Sequence, residues 1–295
     1  MVTRLVRFMA VVATLMLGVY PLFARQPIIQ IIAVIDYPGT GNSTTAHEIN
    51  SRGDIAGTYV NSTGRTYGFT RMANGTFSDP IIETDFTFTV GINKADELAG
   101  YYFDDVAQIY HGLFVNHGFY IQYNAPGAIN TFVLQVNNAG DFCGAFDDST
   151  GRRNAFVSLG GTFEPYTFTP SGTVEANALN ASDQIVGEYY DAPPATTFHG
   201  YFRDSNGTLT YPIDYPGSTS TILLSLNDKG ISVGRYLDDA GMEHGLIVQN
   251  LTKLASYDYP GAIGTSLNGV NNGNMVSGRY TDTNGVRHGF LGRIR

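Results

Sequence analysis

Ile31-Ile32-Ala33-Val34-Ile35-Asp36-Tyr37-Pro38-Gly39 is a short apolar run that ends in a chain reversal. Its β-branched residues read as a strand. Pro-Gly reads as the turn, because proline presets φ and glycine accepts a positive one. The same ending recurs at Asp214 to Gly217 and Asp258 to Gly261, and in altered form as Asn124-Ala125-Pro126-Gly127. In those places it closes the last strand of a repeated unit. The final unit stops at Arg295, just past its third strand, so the run at Ile31 supplies the strand that this unit lacks. Complementary ends of this kind close a ring and remove the open edges that a linear array would expose.

Six units of about 44 residues follow this run. Each carries an Asn followed seven residues later by a Gly: Asn50/Gly57, Asn93/Gly100, Asn137/Gly144, Asn180/Gly187, Asn227/Gly234 and Asn271/Gly278. An aromatic stands two residues beyond each Gly, at Tyr59, Tyr102, Phe146, Tyr189, Tyr236 and Tyr280. A second marker places a small residue before an aromatic or leucine, as in His199-Gly200-Tyr201 and His288-Gly289-Phe290. The spacing from repeat Gly to this small residue is 11 in four units, 12 in the second and 13 in the fourth. Insertions are thus confined to one loop.

Each unit reads as four short antiparallel strands. The first ends at the Asn, and three residues later stand Gly53, Asp96, Gly140, Asp183, Gly230 and Asn274. These residue types best tolerate a left-handed backbone, so a hairpin turn is expected there. Gly and aromatic share a face of the second strand. The repeat Gly is expected to mark close approach of a neighbouring backbone or ring, so that a side chain there would enter space taken by the neighbouring blade or ring. The expectation is an all-β, six-bladed β-propeller of four-stranded antiparallel blades, occupying residues 26–295 with its N-terminal strand at 27–39. An open solenoid would need capping ends.

Composition agrees with a turn-rich β protein: 295 residues, 43% hydrophobic and 15% charged, with 35 Gly, 19 Tyr and 18 Phe. Residues 1–25 have the layout of a secretory signal peptide, with Arg4 and Arg7 before the apolar run Phe8 to Tyr20. That run is shorter than the roughly 20 residues a spanning helix needs, so no stable membrane insertion is expected after cleavage, an uncleaved membrane anchor being the alternative. The expected location is extracellular or periplasmic. Without residues 1–24 the chain holds 15 basic and 26 acidic residues, a net charge of −11. Such a surface repels phosphate backbones and argues against nucleic acid as a partner. Cys143 is the one cysteine, so no intramolecular disulfide forms. It precedes the repeat Gly, where other units carry small residues, and reads as core.

In these markers the chain resembles the bacterial extracellular HAF-repeat family, named for a His-Ala-Phe triplet near the end of each repeat. The resemblance spans roughly residues 31–295 and rests on His288-Gly289-Phe290, on Asn154-Ala155-Phe156, on weaker triplets elsewhere, and on the segment Asn180 to Tyr189. It implies export and a repeated β fold. It implies no catalytic residues.

Four histidines share one repeat position: His111, His199, His244 and His288. Equivalent positions in adjacent blades lie apart around a ring, whereas metal ligands must come within about 2.1 Å of the ion. A structural role tying strand to turn is expected. The acidic turns Asp104-Asp105, Asp147-Asp148 and Asp238-Asp239 lack the ligand alternation and terminal Glu of an EF-hand loop, and read as Asx turns. Glu175, Glu188 and Glu243 fall at dissimilar repeat places, and nothing in the sequence pairs them with a partner. No cofactor fingerprint or hydrolase elbow is present. The functional expectation is a secreted binding or scaffold module for an extracellular glycan or cell-surface protein. The alternative is a polysaccharide hydrolase or lyase with its site at the channel mouth, which would need two close carboxylates without counterparts in other blades.

Overall fold

A computed structural model describes residues 28–39, 43–169, 172–190 and 197–295. The signal peptide expected over residues 1–25 lies outside the described residues. The protein is a six-bladed β-propeller, and every regular element among the described residues is a strand. The innermost strands of blades one to six are Thr44–Ile49, Thr87–Ile92, Asn130–Val136, Thr173–Leu179, Ser220–Leu226 and Gly264–Val270. Each packs on the inner strand of the blade on either side, and blade six packs on blade one.

Ring closure follows the complementary termini. The N-terminal strand Ile29–Ile35 pairs antiparallel with Arg287–Ile294, with Ala33 opposite Leu291, Val34 opposite Phe290 and Ile35 opposite Gly289. Five sheets have four strands. Blade one departs from this count. Its outer position holds isolated bridges, Arg71–Phe77, Gly68–Ile81 and the parallel Thr66–Phe86, in place of a strand. Pro80 there has no N–H to give, and the Ser78 hydroxyl takes the Thr70 N–H at 3.0 Å, so the regular ladder does not form.

All six residues expected in the left-handed region adopt it, with φ from 57° at Asp183 to 94° at Gly53. The expectation that the repeat Gly admits a neighbouring blade is corrected by the structure. In all six blades its missing Cβ would run into a main-chain carbonyl of the inner strand of its own blade. The carbonyl belongs to Thr45 at Gly57, Phe88 at Gly100, Phe132 at Gly144, Glu175 at Gly187, Ile222 at Gly234 and Ser266 at Gly278. The pairing register shifts beside it, and the bulge turns the carbonyl toward the glycine. Gly100 shows the correction most plainly. A Cβ there would lie 1.9 Å from the Phe88 oxygen, and its next contacts, the Phe88 carbonyl carbon and Thr89 Cα, are main-chain atoms of the same blade. No ring or neighbouring blade is among those nearest atoms, so at Gly100 the close approach is that of the adjacent strand's backbone alone. The ring half of the expectation holds at Gly57, Gly144, Gly187 and Gly278, where rings of the second marker lie close by. Approach of a neighbouring blade belongs instead to the small residue of the second marker. A Cβ on Gly245 would meet Leu267, and one on Gly289 would meet Ala46.

The residue after that small one is the centre of each blade's core. Phe69, Leu113, Phe156, Tyr201, Leu246 and Phe290 are all buried. Between blades, the tyrosine of the Asp-Tyr-Pro-Gly ending stacks on the repeat aromatic of the next unit. Tyr37 lies on Tyr59 with centroids 4.1 Å apart, Tyr215 on Tyr236 at 4.0 Å, and Tyr259 on Tyr280 at 3.8 Å. Cys143 is buried, its thiol pushed up by burial and donating to the Ala176 carbonyl of blade four at 3.3 Å.

Candidate functional site

The repeated residues hold the scaffold. Each repeat Asn accepts two turn N–H groups on its Oδ1, as Asn50 does from Arg52 and Asp54 at 2.9 and 3.0 Å. Its Nδ2 then donates to the main-chain carbonyl of the repeat Asn in the next blade. Asn50 reaches Asn93 at 3.1 Å, Asn93 reaches Asn137 at 3.2 Å, and Asn137 reaches Asn180 at 3.5 Å. Asn180 reaches Asn227 at 3.4 Å, Asn227 reaches Asn271 at 3.1 Å, and Asn271 returns to Asn50 at 2.8 Å. Six amides thus form a closed hydrogen-bonded ring around one end of the axis.

The histidines lie apart from that ring. His111, His199, His244 and His288 each use Nδ1 on the residue that opens the strand ending: Asn124 at 2.7 Å, Asp214 at 2.8 Å, Asp258 at 2.8 Å and Asp36 at 2.9 Å. Each ring also packs on its repeat tyrosine, as His244 does on Tyr236 at 4.8 Å. Asp104, Asp148 and Asp238 accept main-chain N–H groups of their own turns, which is the Asx arrangement. Among the described residues no group of three or more His, Cys, Asp or Glu is placed to hold a metal ion.

Side chains that do not repeat collect on the axis. The inner-strand residue five before the Asn pairs with the residue after the repeat Gly. These pairs are Thr45/Thr58, Phe88/Tyr101, Phe132/Ala145, Glu175/Glu188, Ile222/Arg235 and Ser266/Arg279. One scaffold position therefore carries aromatics in blade two, two carboxylates in blade four and guanidinium groups in blades five and six. A cavity of about 170 Å³ lies on the axis, reached by all six inner strands and by Arg235 and Arg279. A shallower basin of about 80 Å³ lies at the Asn ring, and Glu48 lines both.

The three glutamates left without partners by the sequence find them here. Arg153 bridges Glu175 at 2.9 Å and Asp147 at 2.8 Å, and its guanidinium lies 4.2 Å from the centre of the Phe132 ring. Glu243 Oε1 receives Arg279 at 2.8 Å and Arg235 at 3.4 Å. Glu188 accepts from Asn177 Nδ2 at 3.2 Å. Burial, reinforced by the facing Glu175, pushes the Glu188 carboxyl up against the pull of Arg235. Burial also pushes Glu48 up to about 7, although its Oε1 accepts the Ile49 N–H at 3.0 Å. His47 is pushed down to about 3 by burial and then by Arg279 and Arg235, so its imidazole is neutral and bonds Thr58 Oγ1 at 3.0 Å through Nε2.

Sequence reasoning named Glu175, Glu188 and Glu243 but missed His47, Glu48, Arg153, Asn177, Arg235 and Arg279. A signal was present. Each stands at a repeat position that some other units fill with an apolar or small residue, as Asn177 does beside Val90, Leu134 and Leu224.

No protein-family model and no curated protein sequence matches this chain. Among solved structures, it is similar to virginiamycin B lyase from Staphylococcus aureus, at 10% identity and a TM-score of 0.52, over 88% of this chain and 98% of that one. Aleuria aurantia lectin in complex with Fucα1-6GlcNAc is similar at 10% identity and a TM-score of 0.53, over 86% and 94%. TolB from Acinetobacter baumannii is similar at 12% identity and a TM-score of 0.52, over 86% of this chain and 56% of that one. Likeness at this identity carries the propeller fold and nothing about activity.

Proposed function

We propose that this chain is a secreted binding module of the HAF-repeat kind, which recognises an extracellular glycan or cell-surface protein through its axial face. The observation that carries this reading is the segregation of residues by role. Positions that repeat are consumed by the scaffold, whereas Glu48, Arg235 and Arg279, which vary from blade to blade, line one axial cavity, with Glu243 paired to both arginines. A passive scaffold has no use for buried charge, which is costly to desolvate. A ligand that pairs with it offsets that cost. The signal-peptide layout of residues 1–25 and the six triplets support export and the family reading.

The hydrolase or lyase reading has one observation in its favour. Glu175 and Glu188 stand directly opposite on neighbouring strands, with no counterpart pair in the other blades, and burial together with Glu175 pushes the Glu188 carboxyl up. A carboxyl poised there suits proton transfer.

One experiment separates the two. The mature chain is passed over arrays of glycans and polysaccharides, with both retention and soluble products recorded. Retention without products supports the binding module. Products that vanish in Glu188→Gln while retention persists support the enzyme. Neither retention nor products on any glycan, together with no capture of a surface protein, overturns both.

A further inference from the structure

We propose that the axial cavity binds the carboxylate of an acidic sugar, a uronate unit, between the guanidinium groups of Arg235 and Arg279. This rests on the glycan-binding reading and narrows it to one ligand class.

Charge at the cavity is unbalanced. Arg235 and Arg279 both line it, and both lean on the same oxygen of Glu243, at 3.4 and 2.8 Å. Among the described residues no other carboxylate comes within ion-pairing distance of either. Two fixed cations therefore share one anion, and each guanidinium has five N–H donors to place. Arg235 stays about a third exposed, so its fork is reachable. The carboxyl lining the cavity itself, Glu48, is buried, and that burial pushes its pKa up and so lessens its opposing charge. A planar carboxylate is the anion that matches guanidinium geometry with two parallel hydrogen bonds.

The rest of the wall suits a sugar. Val90, Leu134 and Leu224 present aliphatic surface for a ring face. His47 spends Nε2 on Thr58 and keeps Nδ1, and Asn177 spends Nδ2 on Glu188 and the Leu223 carbonyl and keeps Oδ1, so one hydroxyl can meet each. A volume of about 170 Å³ is below the roughly 300 Å³ at which drug-sized pockets begin, so one ring enters rather than an oligosaccharide.

The test is titration calorimetry of the mature protein with D-glucuronate, D-glucose and acetate at matched ionic strength. Glucuronate is expected to bind about tenfold or more tightly than glucose, which lacks the carboxylate, and than acetate, which lacks the ring. This comparison needs no variant, so a folding defect cannot mask it. Arg235→Thr is the companion variant, since Thr58 occupies the equivalent position in blade one. It is expected to weaken glucuronate binding by about tenfold. Equal affinity for glucuronate and glucose, or an unchanged affinity in Arg235→Thr, overturns the assignment. Retention of a neutral glycan on the array with no preference for glucuronate would overturn it while leaving the binding-module reading intact.

Discussion

Asn271 Nδ2 donates to the main-chain carbonyl of Asn50 at 2.8 Å, across 221 residues of sequence. This bond is one of several that join the last blade to the first, and it completes the amide ring. Asn271 Oδ1 meanwhile holds the N–H groups of Gly273 and Met275 at 2.8 and 3.1 Å. Asp keeps the acceptor and loses the donor, so Asn271→Asp isolates the bond between blades, at a cost of about 1 kcal/mol or more. Asn271→Ala removes all three bonds and is expected to cost about 2–4 kcal/mol. Equal denaturation midpoints for both variants and the parent would show that the ring contributes nothing.

Removal of residues 26–39 takes away the strand that covers Arg287–Ile294, together with Asp36, the partner of His288. The bared edge is expected to cause aggregation or a large loss of stability. Size-exclusion profiles and thermal melting of the truncated chain check this; melting like the parent sinks it.

Gly144→Val and Gly234→Val each set a side chain against a carbonyl of the blade's own inner strand. Each is expected to destabilise by about 1–3 kcal/mol or more, because main chain held in a bulge yields little. Urea titration of both variants measures it.

The histidine at His244 should act through pH rather than through metal. Burial alone would lower its pKa, but its hydrogen bonds to Asp258 and Asp238 outweigh that and raise it. A raised folded-state pKa gives stability that is full below the unfolded value and fades as pH rises through the folded one. His244→Ala should therefore cost more at pH 5 than at pH 9, with melting insensitive to chelator in parent and variant. A chelator-dependent midpoint in the parent that disappears in the variant contradicts this account.

Glu48 gives the opposite kind of pH dependence from an ordinary surface acid. Its folded pKa of about 7 lies above the ordinary glutamate value of 4.5, so the folded state binds more protons between those values. Stability then falls as pH rises across that window. Gln135 occupies the same repeat position in blade three and its Oε1 accepts the Val136 N–H at 2.9 Å, as Glu48 does with Ile49. Glu48→Gln is therefore expected to fold and to gain about 1–3 kcal/mol over the parent at pH 8, with little difference at pH 4.5. Guanidinium denaturation at the two pH values decides it.

The fold was legible in the sequence because a propeller repeats its scaffold. A constraint met six times leaves six copies of the residues that meet it, and period alone exposed the Asn, the Gly, the left-handed turn and the orphan strand at Ile31. What the period could not say was how those residues act. That the Asn amides link blade to blade depends on how adjacent blades pack, and that a repeat glycine such as Gly100 faces a carbonyl of its own blade depends on a bulge that has no sequence signature of its own. The axial site was hidden for the converse reason. Glu175, Glu188 and Glu243 stood out as breaks in the pattern, but their partners, Arg153, Asn177, Arg235 and Arg279, are contributed by different strands and, for Arg153 and Arg279, by an adjacent blade. Only closure of the ring brings inner strands from opposite ends of the chain around one axis, so the sequence determined which residues are exceptional and the tertiary structure decided which of them meet.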